Sequence, residues 1–291
     1  MKTYRHQHRA RTFGVRARLV RTLFCLLLAA PSASTLAFEV VPMDKPNEYL
    51  KWGASHVAGT PGGVVTWGFL AAGTPGSRAC GNYCVGNSVD TLPNFYATPE
   101  RDNRTTPTTL LSLRAAIQAA FDAWSSVADV QFRYVGVDHS MKPINDPTAT
   151  SPDIRIGVYS FGGLWSYCLA GAAFAAPPNV GTVAGDIFLN ANVGFQLSSA
   201  PDDSELSPFP AGNGLHMTDV YLLALHEIGH AIGLGDSSDA DSVLCGGDPT
   251  SASLRREHLW RKPRADDIAG AQFLYGPPKG PTTRGPAAET R

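Results

Sequence analysis

The chain has 291 residues, of which 43% are hydrophobic and 17% are charged, and its formal net charge is −1. This composition excludes a disordered or fibrous protein and predicts one globular domain with its own core. Residues 1–37 carry seven Lys and Arg and no acidic residue, so 17 basic side chains remain beyond them against 25 acidic ones. The remainder is therefore acidic, and we expect neither nucleic acid nor an anionic membrane as a partner.

Residues 1–37 have the order of a secretory signal peptide. A basic start is followed by the apolar run LFCLLLAA at 23–30 and by the small residues PSASTLA. This order predicts cleavage after Ala37 and a secreted, extracellular product. A membrane anchor is the alternative, but the run is shorter than the roughly 20 residues that cross a bilayer. No later stretch is hydrophobic enough to do so, and residues 38–50 form a short polar segment.

The cysteines predict disulfides. Loss of the signal peptide removes Cys25 and leaves four cysteines, an even number that in an exported chain indicates two disulfides with three possible pairings. We favour Cys80 with Cys84, because CGNYC lies in a glycine-rich loop, and hence Cys168 with Cys245. A zinc site built from all four is the alternative, although the spacing lacks a second close pair.

Secondary structure follows from hydrophobic periodicity and turn residues. Apolar residues at 110, 113, 117, 120, 121 and 124 predict an amphipathic helix with Thr108 or Thr109 as its cap. A second, buried helix is predicted where the chain is apolar on most sides. The predicted strands are 62–71, 130–137, 153–161, 169–176 and 185–190; the helices are 106–127, 217–234 and 265–276; the loops are 72–107 and 191–214; and the tail 278–291 is predicted to be disordered.

The stretch HEIGHAIGLGD at 226–236 carries the chemistry. Residues four apart on a helix point the same way, so His226 and His230 can place two imidazole nitrogens on one zinc. Glu227 is one step round the helix, where it can act as general base on a water that the metal activates. Gly233 can end the helix in a left-handed conformation and turn the chain back toward the metal. Asp236 then arrives as the third ligand.

These residues resemble the catalytic signature of the matrixins, a branch of the metzincin zinc endopeptidases with the pattern HExxHxxGxxH and a methionine-containing turn. KWG at 51–53, AFDAWSSVADVQF at 120–132, DIRIG at 153–157 and ADDIAGAQFLYG at 265–276 appear in the matrixin order. The resemblance covers residues 51–277, which we take as the catalytic domain.

The resemblance implies an α+β metzincin fold: a twisted, mostly parallel five-stranded sheet with one antiparallel edge strand, an active-site helix, a backing helix, and a small C-terminal part with a terminal helix. It also implies one catalytic zinc and hydrolysis of peptide bonds in a substrate that lies along the edge strand. That strand would be 169–174, including Ala170, Gly171, Ala172 and Ala173.

The motif departs from the family at the metal. The third ligand is Asp236 where the family has histidine, and a carboxylate oxygen binds zinc at a similar distance. The methionine of the turn is replaced by Leu244, which keeps a hydrophobic floor of nearly the same volume. A bridge from Cys245 to Cys168 would tie this turn to the loop that enters the edge strand.

The sequence also bears on two further metal sites. The family's second, structural zinc uses histidines, whereas the matching positions here are Ala172 and Phe188, so we expect that ion to be absent. Calcium is left open. Its candidate oxygen donors are Asp153, Asp186, Asn190 and Asn192.

The leading hypothesis is therefore a secreted, monomeric zinc metalloendopeptidase that acts on proteins or peptides. The alternatives are a catalytically inactive relative that binds peptides or matrix through the same groove, and a protein whose HExxH is accidental. We expect residues 246–262 to build much of the pocket for the side chain after the scissile bond. Asp44, in the segment before the domain, is a hypothetical blocking ligand for the zinc.

Overall fold

The computed structural model describes residues 37–92, 95–96, 108–163, 166, 170–178, 181–197, 217–245 and 260–279. We number the elements within these residues in chain order. The helices are α1 (Leu110–Ser125), α2 (Val220–Ala231) and α3 (Ala265–Tyr275). The strands are β1 (Gly63–Leu70), β2 (Val85–Val89), β3 (Thr91–Leu92), β4 (Phe95–Tyr96), β5 (Thr108–Thr109), β6 (Val130–Asp138), β7 (Ile154–Ser160), β8 (Gly171–Ala173), β9 (Ile187–Asn190), β10 (Gly194–Gln196) and β11 (Met217–Asp219).

The main sheet has the strand order β6-β1-β7-β9-β8. The first four strands run parallel to one another, and β8 closes one edge antiparallel to β9. β7 is buried along nearly its whole length, as expected for a central strand covered on both faces. The α+β fold with a mostly parallel sheet and one antiparallel edge strand is confirmed.

The sheet carries one more strand than the sequence predicts. β2 pairs antiparallel with the end of β7, although only Val85 with Ser160 and Val89 with Val158 are in register. Residues 85–89 contain Gly and Asn, which have low β propensity, so this segment was predicted to be loop. The prediction was wrong because pairing with β7, a long-range contact, overrides the local preference.

Helix α1 follows its periodicity closely. Its buried residues are Leu110, Leu113, Ile117, Ala120, Phe121 and Trp124, which are the six apolar positions found in the sequence. Thr109 caps the helix by accepting a hydrogen bond from the Ser112 N–H. α1 therefore lays one apolar face against the core.

Helix α2 begins three residues later than predicted. Residues Met217–Asp219 form β11, which runs parallel to β10, and the Asp219 side chain caps the helix by accepting from the Leu222 N–H. The Trp124 indole donates to the Leu225 carbonyl at 2.9 Å. An ideal Cβ on Gly229 would lie 2.9 Å from the Trp124 ring, so glycine permits the close approach of α1 to α2.

The turn after α2 requires glycine at position 233. Gly233 has φ +104°, and an ideal Cβ there would lie 2.2 Å from the Leu50 carbonyl oxygen. The Tyr275 hydroxyl of α3 donates to the Ile232 carbonyl at 2.6 Å. The turn is thereby held between the segment before the domain and the terminal helix.

A disulfide joins Cys80 to Cys84, as predicted. Cys168 lies outside the described residues, so its bond to Cys245 stays a prediction, as does disorder of the tail beyond residue 279. Among the described helices, none has the length and hydrophobicity to cross a membrane.

Candidate metal centre

His226 and His230 meet at their outer ring nitrogens. Both lie on α2, four residues apart, and their Nε2 atoms are 3.1 Å from each other. Two nitrogens that each lie 2.0–2.1 Å from a tetrahedral zinc would be roughly 3.3 Å apart. The spacing of the two imidazoles therefore fits a shared metal ion.

Hydrogen bonds on the other side of each ring assign the tautomers. His226 Nδ1 lies 2.8 Å from the Val243 carbonyl oxygen, and His230 Nδ1 lies 2.9 Å from the Leu234 carbonyl oxygen. A carbonyl only accepts, so each Nδ1 carries the hydrogen and the Nε2 of each neutral ring presents a lone pair. Two lone pairs facing each other at this distance are unfavourable without a cation between them.

Asp236 brings a third candidate ligand close to the two imidazoles. Its carboxylate Oδ1 lies 3.7 Å from His230 Nε2, and one ligand atom from each of His226, His230 and Asp236 lies within 4.8 Å of the other two. This is the group with metal-ligating geometry among the described residues. Two imidazoles and one carboxylate are a donor set of catalytic zinc sites, which keep a fourth position open. The residues present therefore fit zinc.

Glu227 is placed beside the metal ligands but buried. Its side chain is only slightly exposed, and burial, together with the nearby Asp236 charge, raises the pKa of its carboxyl to about 8. The Ala173 N–H donates a hydrogen bond to this carboxylate and acts in the opposite direction. Glu227 therefore joins the metal ligands to the edge strand β8.

The edge strand presents backbone groups outward. Ala172 pairs with Phe188 of β9, while the Phe174 N–H donates to the Asp186 carbonyl and the Ala170 carbonyl accepts from the Asn190 N–H. Because backbone groups alternate sides along a strand, the N–H and C=O groups of Gly171 and Ala173 point away from β9. An ideal Cβ on Gly171 would be 3.2 Å from Glu227 Oε1, so this outer edge runs directly past the carboxylate.

Leu244 forms the floor of the site. It is buried, and its Cδ2 atom would lie 2.6 Å from an ideal Cβ on Gly229, in the turn of α2 that lies between the two histidines. The turn that carries Leu244 also supplies the Val243 carbonyl that holds His226. Leu244 therefore packs against the part of α2 that carries the two histidines.

Two carboxylates of α3 form hydrogen bonds to the segments that carry the site, and neither was predicted from the sequence. Asp267 accepts from the Val243 N–H at 3.0 Å and from the Ser242 hydroxyl. Asp266 accepts from the Ser237 hydroxyl at 2.6 Å, next to the third ligand, and from the Ala37 and Phe38 N–H groups. The sequence feature that could have revealed them is a pair of adjacent acids at the start of a mostly apolar helix. Both acids are buried.

The positions considered for other ions have protein partners. Asp186 is paired with Arg155, Asp153 accepts from the Thr66 N–H and hydroxyl, and the Asn190 side-chain oxygen accepts from two backbone N–H groups. Phe188, opposite Ala172, is fully buried.

The other predicted site residues do not belong to this group of ligating side chains or lie outside the described residues. Asp44 is exposed and does not belong to the group of metal ligands found among the described residues. Residues 246–259, which include most of the predicted pocket loop, lie outside the described residues. Residues 260–262 precede α3, where the Tyr221 hydroxyl donates to the Arg261 carbonyl at 2.6 Å.

The chain is similar in sequence to one protein family and to several of its members. A family model described as Matrixin matches residues 100–276. Human matrix metalloproteinase-16 is 28% identical over 166 residues, which are 57% of this chain and 24% of that protein. Mouse matrix metalloproteinase-19 is 32% identical over 179 residues, 61% of this chain and 28% of that protein. Rat stromelysin-1 is 41% identical over 61 residues, which are 21% of this chain and 12% of that protein. The chain thus spans about a quarter of the length of the first two relatives.

Proposed function

We propose, because the chain belongs to the matrixin family, that it is a secreted zinc-dependent endopeptidase that hydrolyses peptide bonds of extracellular proteins. One observation carries the proposal. Two imidazoles and a carboxylate converge within 4.8 Å, and a buried carboxylate stands between them and the outer edge of β8. These are the parts that peptide hydrolysis requires, in one place.

When bound, zinc supplies a Lewis acid that lowers the pKa of a water ligand toward 7. His226, His230 and Asp236 would hold it. Asp236 brings a negative charge where the family has a neutral histidine, and a more negative ligand set makes the metal a weaker Lewis acid. We therefore expect the activity to rise at higher pH than in a relative with three histidines.

Glu227 acts as the proton carrier. It accepts a proton from the attacking water and later donates that proton to the leaving amine. Its buried carboxyl has a pKa raised to about 8 without metal, and a neighbouring cation lowers that value. Bound zinc would thus favour the ionised carboxylate, which is the form that accepts a proton.

The substrate is proposed to bind as an additional strand along β8. The N–H and C=O of Gly171 and the C=O of Ala173 point outward and would pair with an extended peptide. The Ala173 N–H is already bonded to Glu227, so the same strand that orients the substrate also orients the general base. The scissile carbonyl is then brought beside the carboxylate.

The inactive peptide-binding protein is less well supported. That alternative depended on Asp236 and Leu244 as defects of the metal site. Asp236, however, lies within reach of the other ligands, and Leu244 fills the floor beneath α2. A protein that only binds peptides has no use for a general base buried beside the metal ligands.

The test measures zinc content and proteolysis of the secreted protein, with casein and gelatin as substrates. Wild type is compared with Glu227→Gln, and Asp241→Asn, an exposed acid in the loop after Asp236, serves as the control. We expect one zinc per chain in all three and a loss of at least about 100-fold in turnover for Glu227→Gln alone. Zinc without proteolysis in wild type would support the inactive alternative, and absence of zinc would contradict both.

A further inference from the structure

A continuous series of hydrogen bonds links the terminal helix to one of the metal ligands. The Ser242 hydroxyl donates to Asp267 Oδ1 and accepts from the Leu244 N–H at 2.9 Å. The peptide group that owns this N–H also owns the Val243 carbonyl, which accepts from His226 Nδ1 at 2.8 Å. The order is therefore carboxylate, hydroxyl, one peptide group and imidazole, with the Nε2 of that imidazole directed at the metal position.

From this connection we propose that Ser242 is a positioning residue that couples the buried charge of Asp267 to the metal ligand His226. The inference rests on the proposed zinc site but concerns residues that do not touch the metal. Asp267 is held by several donors, since its Oδ2 also accepts from the Val243 N–H and from the Arg264 N–H at 2.7 Å. The Asp267 carboxylate is thus held in place, and the turn that contains Ser242 and Val243 is hydrogen-bonded to it.

Burial strengthens this series of hydrogen bonds. Ser242, Leu244 and Asp267 are each at most 2% exposed, so water does not compete for these hydrogen bonds. In such an environment, neighbouring hydrogen bonds polarise one another. The negative end at Asp267 makes the Val243 carbonyl a stronger acceptor for the Nδ1 hydrogen. His226 consequently becomes a more basic ligand with a fixed ring orientation.

The second histidine lacks this support. His230 Nδ1 donates to the Leu234 carbonyl, and the N–H of that same peptide group, on Gly235, donates to the Glu39 backbone carbonyl at 2.8 Å. This path ends on a neutral amide group, whereas the path from His226 ends on a carboxylate. The two imidazole ligands are therefore electronically unequal, although both have the same local hydrogen-bond geometry.

Ser242 is the replaceable link in this series. Ser242→Ala removes the hydroxyl but leaves the direct bond between Asp267 and the Val243 N–H, so the turn keeps one attachment. Ser242→Thr keeps the hydroxyl. Ser88→Ala is the matched control, because Ser88 is also 2% exposed and its hydroxyl donates to a backbone carbonyl, that of Val89 in β2.

The experiment measures zinc affinity by competition with a chromophoric chelator, and the visible absorption of the Co²⁺-substituted protein, for wild type and the three variants. Loss of an outer-shell partner weakens metal binding by about 10–100-fold, and we expect Ser242→Ala to lose at least about 10-fold and to shift the Co²⁺ bands. Ser242→Thr and Ser88→Ala should stay near wild type in both. An unchanged affinity and spectrum for Ser242→Ala, with only its melting temperature lowered, would overturn the proposal.

A measurement on wild type keeps the test independent of whether the variants fold. In the zinc-loaded protein, the Nδ1 proton of His226 should resonate further downfield in the NMR spectrum than that of His230, because its acceptor is polarised by Asp267. Equal or reversed positions would count against the proposal. Failure of wild type to bind zinc would instead remove the proposed function itself, so the two failures are distinguishable.

Discussion

Arg155 and Asp186 form a completely buried ion pair between β7 and the start of β9. The Arg155 Nε donates to Asp186 Oδ1 at 3.1 Å, a second guanidinium nitrogen bonds to Oδ2, and the same nitrogen reaches the carbonyls of Ile144 and Thr182. One cationic side chain thus binds oxygens of three residues, Ile144, Thr182 and Asp186. Internal charge of this kind is costly to separate from its partner.

Loss of one partner should therefore destabilise the fold strongly. Arg155→Met leaves Asp186 buried without its counter-charge, and we expect the free energy of unfolding to fall by about 3–5 kcal/mol. The double variant Arg155→Met with Asp186→Leu removes both charges and should recover much of that loss. Urea denaturation of wild type and the single and double variants measures both effects. A double variant less stable than the single one would contradict this account.

The same contacts predict that calcium has little effect on stability. Asp153, Asp186 and Asn190, three of the candidate donors, already accept hydrogen bonds from the protein, so a cation would have to compete with those partners. Thermal unfolding of zinc-loaded, calcium-free protein should give the same Tm before and after calcium is added. A rise of several degrees would show that a calcium site exists.

Asp236 should be needed for zinc binding but not for folding. Its side chain is 65% exposed, so Asp236→Ala should leave the free energy of unfolding of the metal-free protein within about 0.5 kcal/mol of wild type. Zinc affinity should fall by at least about 100-fold, since one of three protein ligands is lost. Asp241→Ala removes the same charge from the same loop and should bind zinc normally. Equal affinities of the two variants would exclude Asp236 as a ligand.

Gly233 should tolerate no side chain. Gly233→Ala forces an L residue to φ +104° and drives its Cβ against the Leu50 carbonyl, so we expect a loss of more than about 2 kcal/mol of stability and weaker zinc binding. Gly181→Ala is the matched control, because Gly181 also has positive φ but open space around its Cβ. The control should lose only about 1–2 kcal/mol. Similar losses for both would mean that the contact with Leu50 is relaxed easily.

The raised pKa of Glu227 predicts a pH dependence of the metal-free protein. An acid whose pKa is raised from 4.5 to about 8 on folding contributes stability that is complete below pH 4.5 and is lost as the pH rises to about 8. Relative to Glu227→Gln, wild type should therefore lose a few kcal/mol of unfolding free energy across this interval. Urea denaturation of both proteins in a chelator, over that pH range, tests the sign. A constant difference would show that the carboxyl is not destabilised by burial.

Much of the site was predictable because it is local. His226, Glu227 and His230 lie within little more than one turn of one helix. Gly233 and Asp236 follow within six residues of His230, so helical periodicity and one left-handed turn are enough to bring them together. The apolar face of α1 and the main strands were predictable for a similar reason. Each is determined by the alternation of side chains within a single segment.

The tertiary structure alone decided which distant groups support these ligands. Asp267 is 25 residues from Ser242 in the sequence, yet the packing of α3 brings their side chains into contact. β2 became a strand only through pairing with β7. Local patterns fix which face of an element is apolar, but hydrogen bonds between buried polar groups depend on how those faces meet. The sequence by itself therefore determined the candidate ligands and the candidate general base, and packing determined which groups orient them.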